Sequence, residues 1–124
     1  MTDEPTLFDS NIVIDALNGI EAGRDELRAA REPSISVVSW IEVLAGCPTA
    51  EAEVQARALL SSMSVLAFTD AVAEDAVRIR RTTRLRLPDA VILATARVHG
   101  LTLSTRNTKD FGAGLDGVRV PYRL

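Results

Sequence analysis

The chain has 124 residues, 47% of them hydrophobic and 25% charged, a balance that excludes intrinsic disorder and suffices for one hydrophobic core. The formal net charge of −3 excludes a general attraction for nucleic acid, so any site for a polyanion has to be local. We therefore predict a single domain, residues 1–124, with a largely aliphatic core because only 4% of the residues are aromatic.

Strand and helix signals alternate along the first half of the chain. The apolar run 6–9 predicts a strand, and residues 11–17 predict a helix that stops at Asn18-Gly19. The alternating charges of residues 21–31 predict a solvated helix, and the β-branched run 34–38 predicts the second strand. Residues 39–46 and 50–60 are predicted to be helical, and residues 64–68 are predicted to form the third strand.

The second half continues the alternation. A long helix is predicted over residues 71–83, after a cap at Thr69-Asp70. The next helix is predicted to start near Pro88, which suits a first helical position, and to end before a left-handed Gly100. Residues 102–104 are predicted as the fourth strand, 108–111 as a helical turn, 112–114 as a loop and 118–120 as an edge strand.

This order of elements predicts an α/β fold. Helical crossovers let successive strands run the same way, so we expect a parallel sheet of about five strands with helices on both faces, in three layers. In such a fold the carboxyl ends of all strands lie along one edge of the sheet, and ligands bind at that edge.

Four acidic residues fall near the strand ends. Asp9 ends the first strand, Glu42 lies one turn into the helix after the second, and Asp110 follows the fourth. The topology alone places these three at the same edge. Asp89 opens the helix that precedes the fourth strand.

Each acid also has a purely structural interpretation. Ser39 and Glu42 have the spacing of a capping box, Asp89 complements a helix dipole, and Asp9 and Asp110 are common cap or turn residues. Taken one at a time, the structural interpretation is favoured. Together, ionised carboxylates in one cleft repel, so one of them must bind a proton or a cation must lie among them. Oxygen donors without His or Cys favour Mg²⁺ or Mn²⁺, which activate water for phosphodiester hydrolysis.

Four segments resemble, in order, the motifs of PIN-domain ribonucleases. They are LFDSNIVID (7–15), SVVSWIEVLAG (36–46), LPDAVILATA (87–96) and LSTRNTKDF (103–111). The resemblance covers almost the whole chain, and within the family it is greatest to the VapC-type toxins of prokaryotic toxin–antitoxin pairs.

The resemblance implies an acidic quartet that holds Mg²⁺ or Mn²⁺. Its members are Asp9, Glu42, Asp89 and Asp110. Asn107 is implied as a supporting metal ligand, direct or through water. Ser10 and Thr105 are implied to orient a carboxylate or a water, and Ser10 keeps the hydroxyl of the Thr that the family usually has there.

The same resemblance implies that the chain cleaves RNA by metal-activated water and leaves a 5′-phosphate. It further implies a homodimer that a cognate antitoxin protein wraps and silences. Two other functions remain open: a degenerate PIN-like module that only binds, and a Mg²⁺-binding receiver-like phospho-acceptor domain. The receiver-like alternative requires a lysine at a late strand end, whereas the only lysine, Lys109, lies beyond the strand.

Basic residues near the acids are candidates for RNA contacts. Arg106 and Lys109 lie within the fourth motif, flank the acidic site and are favoured, and Arg86 is the third candidate. Arg86 ends a basic run whose other members are Arg78, Arg80, Arg81 and Arg84. This run is interpreted as an RNA-binding surface, a solvated helix face or a docking surface for an acidic antitoxin segment, and these alternatives stay open.

Two further features complete the expectations. Asp15, one turn beyond Asn11, is interpreted as a surface carboxylate, with an outer metal ligand as the alternative. A lone cysteine, Cys47, excludes an internal disulfide and fits a reducing compartment. The acidic N-terminus does not resemble a signal peptide, and no run of 18 apolar residues occurs, so we expect a cytoplasmic, non-membrane protein.

Overall fold

The computed structural model describes residues 4–112 and 115–124. Within these ranges the strands are β1 (Thr6–Phe8), β2 (Ser34–Ser36), β3 (Ser64–Leu66), β4 (Thr102–Ser104) and β5 (Val118–Arg119). The helices are α1 (Ser10–Leu17), α2 (Glu21–Ala29), α3 (Val37–Ala45), α4 (Ala50–Leu60), α5 (Asp70–Thr82), α6 (Leu87–Val98) and α7 (Thr108–Phe111).

The strands form one parallel sheet in the order β3-β2-β1-β4-β5. The central strand β1 places Leu7 opposite Ser34 of β2 on one side and opposite Leu103 of β4 on the other. The chain builds outward from β1 to β3 and then crosses to the other side for β4 and β5. Strand order therefore reverses beside β1, the position at which α/β sheets bind ligands.

The two faces of the sheet carry separate helical layers. Leu7 and Phe8 are both fully buried and, as neighbours on a strand, point to opposite faces. Leu7 packs among buried residues of α5 and α6, whereas Phe8 packs among buried residues of α1, α3 and α4. The predicted three-layer α/β fold is therefore confirmed.

Helix α6 lies deepest in the molecule, since residues 90–96 are all buried. Its end is fixed by a Schellman motif, in which Leu101 N donates to Ala96 O (2.8 Å) and Gly100 N donates to Arg97 O (3.2 Å). Gly100 has φ +66°, a left-handed conformation that favours glycine, as predicted. Because α6 runs antiparallel to the strand that follows it, its N-terminus lies at the carboxyl edge of the sheet.

The predicted boundary between the second strand and its helix is wrong. Strand β2 ends at Ser36, and α3 begins at Val37 instead of Ser39. Ser36 Oγ accepts a hydrogen bond from Ser39 N (3.0 Å) and so caps the helix. The β-branched residues Val37 and Val38 favour a strand by propensity, but the cap overrides that preference. Ser39 therefore lies inside the helix, and the capping-box interpretation of Glu42 is incorrect.

Other boundaries differ by one or two residues. Strand β3 stops at Leu66 instead of residue 68, β5 stops at Arg119 instead of residue 120, and α5 starts at Asp70. Of the predicted loop 112–114, residues 113 and 114 lie outside the described residues. Within the described ranges, no helix combines the length and hydropathy that a membrane crossing requires.

Candidate active site

A polar cavity of about 250 Å³ opens at the carboxyl edge of the sheet, beside β1 and β4. Its lining comes from four separate segments of the chain and includes all four predicted acids, Asp9, Glu42, Asp89 and Asp110. Topology placed three of these acids at this edge, and the antiparallel course of α6 adds the fourth. Asn11, Arg86 and Asn107 also line the cavity.

Asp9 is held at the end of β1 by hydrogen bonds to both carboxylate oxygens. Oδ1 accepts from Ser10 N (2.8 Å), and Oδ2 accepts from Thr105 Oγ1 (2.7 Å) and Asn11 Nδ2 (3.3 Å). Only 4% of Asp9 is exposed, and this burial raises its pKa while the Thr105 and Ser10 hydrogen bonds lower it. Asp9 therefore caps α1 and also lines the cavity.

Ser10 links two of the acids. Its hydroxyl lies 3.1 Å from Glu42 Oε1 and 3.4 Å from Asp9 Oδ1, and the shorter contact identifies Glu42 as the better acceptor. The pKa of Glu42 is raised by partial desolvation and by the charge of Asp9, and the Ser10 hydrogen bond opposes this rise. The hydroxyl therefore joins the helix after β2 to the end of β1.

Asp89 experiences the charges of all the other acids. Desolvation and repulsion from Asp9, Asp110 and Glu42 raise its pKa to about 6, and the positive charge of Arg86 opposes this rise. The cavity therefore carries more negative charge than one arginine balances, and a divalent cation would relieve the repulsion.

Asn107 and Asp110 are linked to each other through α7. Asn107 Oδ1 accepts from Asp110 N (3.2 Å), and Asn107 Nδ2 donates to Asp110 Oδ2 (2.9 Å). Asn107 thus caps the short helix and orients the exposed Asp110 carboxylate. A direct bond from Asn107 to a metal would use the second lone pair of the same amide oxygen.

The donors around the cavity fit a hard divalent cation. They are carboxylate and amide oxygens with excess negative charge, the chemistry that suits Mg²⁺ and Mn²⁺. In residues 4–112 and 115–124, no three Asp, Glu, His or Cys side chains are already gathered tightly enough to enclose a metal ion. Mg²⁺ does not require such a cage, because it commonly keeps several waters and takes only one or two carboxylates together with substrate phosphates.

The three basic residues predicted to bind RNA occupy different environments. Arg86 directly precedes α6, is exposed and lines the cavity. Lys109 is exposed on α7. The guanidinium of Arg106 instead pairs with Asp15, through Nε (2.7 Å) and Nη2 (3.0 Å).

Two arginines of the basic run that precedes Arg86 make contacts with nearby residues. Arg78 pairs with Asp75 one turn earlier (3.1 Å), and Arg80 Nη1 donates to the carbonyl oxygen of Leu85 (2.8 Å). Arg80 therefore shapes the connection between α5 and α6.

Two residues of α1, Asn11 and Asp15, have environments that the sequence analysis did not predict. Asp15 is 4% exposed, so its interpretation as a surface carboxylate is wrong. It follows Ile12 by three positions, on the buried face of the helix, and that periodicity was the available signal. Asn11 lines the cavity and accepts a hydrogen bond from Arg106 N (3.2 Å), a contact that no local pattern predicts.

Comparison with known proteins shows what the chain is similar to. The sequence profile of the PIN domain matches residues 6–112. Ribonuclease VapC10 of Mycobacterium tuberculosis strain H37Rv is 41% identical over 113 residues, which cover 85% of this chain and 84% of that protein.

Solved structures share the fold. A chain of a toxin–antitoxin complex from Klebsiella pneumoniae is 42% identical and superposes with a TM-score of 0.89, covering 96% of this chain and 99% of that chain. FitAcB from Neisseria gonorrhoeae is 23% identical with a TM-score of 0.78 over 96% of this chain and 99% of that one, and shows the fold alone.

Proposed function

This chain belongs to the PIN domain family, and we propose that it is a divalent-metal-dependent endoribonuclease that serves as the toxin of a toxin–antitoxin pair. One observation carries the proposal: four acids from separate segments line a single cavity at the point where the strand order reverses. The 41% identity to a protein named Ribonuclease VapC10 supports RNA as the substrate.

In this proposal the four acids, Asp9, Glu42, Asp89 and Asp110, hold Mg²⁺ or Mn²⁺, with Asn107 in support. A bound ion supplies a water of lowered pKa and stabilises charge on the phosphodiester. The hydroxyl of Ser10 orients Glu42, and Thr105 orients Asp9. Asn107 aims the Asp110 carboxylate at the cavity.

RNA binding requires positive charge at the cavity, because the chain as a whole carries −3. We propose that Arg86 and Lys109 contact backbone phosphates, since both are exposed and Arg86 lines the cavity. Arg106 is less suited to this role, because its guanidinium is engaged by Asp15. We assign Arg106 a different role below.

An antitoxin is the proposed protein partner. The support is the 42% identity to a chain of a solved toxin–antitoxin complex. An apolar cleft between α1, α3 and α4, lined among others by Ile14, Leu17, Val43 and Cys47, offers a surface for apolar side chains of such a partner. Because RNA and newly made antitoxin are both in the cytoplasm, we propose that the protein acts there.

A second copy of the chain is the other proposed partner. Phe68, Val77 and Leu87 are 52%, 44% and 61% exposed and line one apolar groove beside α5 and α6. Contiguous exposed apolar surface is typical of association sites. We propose that this groove is the homodimer interface.

The proposed function is tested by incubating the purified chain with single-stranded RNA in Mn²⁺ and in EDTA. Cleavage that requires the metal and is lost in Asp89→Asn supports the nuclease. A folded chain that binds RNA but does not cleave it in Mn²⁺ indicates the non-catalytic binding module instead.

A further inference from the structure

A polar cluster around the buried Asp15 carboxylate joins α1, the segment after β4 and the C-terminal segment. Asp15 Oδ2 accepts hydrogen bonds from Arg106 Nε (2.7 Å) and Tyr122 Oη (2.7 Å), and Asp15 Oδ1 accepts from Arg106 Nη2 (3.0 Å). We call Asp15, Arg106 and Tyr122 the Asp15 cluster. Its members do not belong to the cavity lining.

The Asp15 cluster is nonetheless connected to the cavity through the backbone of Arg106. This residue lies between Thr105, whose hydroxyl binds Asp9, and Asn107, which orients Asp110. Asn107 N donates to Thr105 Oγ1 (3.0 Å), and Arg106 N donates to Asn11 Oδ1 (3.2 Å). The Arg106 side chain therefore holds this segment against α1, and the segment carries the cavity residues Asn107 and Asp110.

The chemistry of the cluster favours one fixed geometry. A two-pronged arginine–carboxylate pair is short and directional. Because Asp15 is buried, release of Arg106 would leave an unpaired buried charge. The Tyr122 hydroxyl supplies a further donor, and both burial and the charge of Asp15 raise its pKa, so it keeps its proton at physiological pH.

We propose that Asp15, Arg106 and Tyr122 are positioning residues that fix residues 105–110 relative to Asp9 and thereby set the affinity of the cavity for a divalent cation. The inference rests on the proposed function. The three side chains act through Thr105, Asn107 and Asp110 and not by contact with metal or RNA. Loosening the cluster lets Asp110 move away from the other acids, so a cation binds more weakly while the fold persists.

Two variants loosen the cluster by small steps. Arg106→Lys keeps the positive charge but lacks the planar fork, and Tyr122→Phe removes one hydroxyl. The matched control is Arg119→Lys, since Arg119 pairs with Glu26 and its side chain is 31% exposed, compared with 33% for Arg106. Arg119 does not line the cavity, and it contacts Thr105 through its main chain, where Thr105 N donates to Arg119 O (3.0 Å), so a change of its side chain reports the effect of a weakened ion pair.

The first measurement is Mn²⁺ binding by calorimetry. We expect the dissociation constant to rise about 10-fold in Arg106→Lys and less in Tyr122→Phe, because residues that hold metal ligands change affinity by about 10- to 100-fold. The number of ions bound per chain stays that of the wild type. If the substitution instead unfolded part of the sample, fewer ions would bind per chain.

The second measurement needs no metal. Hydrogen exchange of the backbone amides of residues 106–110 should be faster in Arg106→Lys than in the wild type and unchanged in Arg119→Lys. Faster exchange in this segment alone shows that the cluster holds it, independently of any catalytic assay.

The outcomes separate this inference from the proposed function. If Arg106→Lys retains the wild-type Mn²⁺ affinity or the wild-type exchange rates, the inference is overturned, while loss of Mn²⁺ binding in Asp110→Ala leaves the proposed function standing. A wild-type protein that binds no Mn²⁺ overturns both. If circular dichroism shows that Arg106→Lys is unfolded, the same two measurements on Tyr122→Phe test the inference.

Discussion

Thr105 Oγ1 donates a 2.7 Å hydrogen bond to Asp9 Oδ2 and so links the ends of the neighbouring strands β1 and β4. The two residues are 96 positions apart in the chain. Their contact lies where the strand order reverses, and it fixes a buried carboxylate in the lining of the cavity. The proposed chemistry depends on this junction.

Asp9→Asn tests the carboxylate at the junction. The amide keeps the shape of the side chain and can still cap α1, so the fold should persist. RNA cleavage should fall by more than about 100-fold if Asp9 is a metal ligand as proposed, because that loss exceeds the 10- to 100-fold cost of losing a residue that supports one. The control is Asp25→Asn on the exposed surface of α2, which should cleave like the wild type. Undiminished cleavage in a folded Asp9→Asn would exclude Asp9 from the site.

Thr105→Val tests the hydroxyl that donates to Asp9 and also accepts from Asn107 N. The substitution preserves shape and removes the donor that lowers the pKa of Asp9, so that pKa should rise further. Cleavage should fall by about 10- to 100-fold, and Thr105→Ser, which keeps a hydroxyl, should recover most of it. Equal rates for the Val and Ser variants would show that the hydroxyl has no role.

Asp89 makes the stability of the metal-free protein depend on pH. The pKa of Asp89 is about 6 in the folded chain, and its ordinary value of 3.8 applies to the unfolded chain. Between pH 3.8 and about pH 6 the folded chain therefore binds more protons than the unfolded chain. The stabilisation is present below pH 3.8 and is lost as the pH rises through about 6. The change should not exceed about 1 kcal/mol, because solvent screens the partly exposed side chain.

Urea unfolding in EDTA at several pH values measures this dependence. Relative to Asp89→Asn, the wild type should lose free energy of unfolding as the pH rises from about 4 to above 6. Parallel curves for the two proteins would show that burial and the neighbouring carboxylates do not raise the pKa of Asp89.

Arg86→Gln tests the proposed phosphate contact. Because Arg86 is exposed, its loss should leave the fold intact and weaken RNA binding for every sequence alike. The slope of log binding constant against log salt concentration should decrease in magnitude by about one. Arg84→Gln, exposed but outside the cavity lining, is the control and should keep the wild-type slope. The same slope in both variants would place the RNA elsewhere.

Local signals predicted much of the fold. The predicted cap Thr69 accepts a hydrogen bond from Val72 N (3.3 Å), and Gly100 ends α6 as its left-handed preference implies. These contacts lie within a few residues of one another, so their sequence patterns contain the information. The parallel topology then placed Asp9 and Glu42 at one edge without any knowledge of their contacts.

The remaining features depend on contacts between distant residues. Asp15 pairs with Arg106 and Tyr122, which are 91 and 107 positions away, and no local spacing identifies such partners. The start of α3 at Val37 depends on the Ser36 cap and conflicts with β-propensity. The sequence therefore located the acids but not the polar contacts that hold them in place.

The central claim is that the four carboxylates bind a divalent ion that RNA cleavage requires. The most direct measurement removes bound metal with EDTA and then follows cleavage of single-stranded RNA as Mn²⁺ is added back in excess of the chelator. The account predicts no cleavage in EDTA and full recovery with Mn²⁺. Cleavage that continues in EDTA, or a folded protein that cleaves no RNA at any Mn²⁺ concentration, would contradict it.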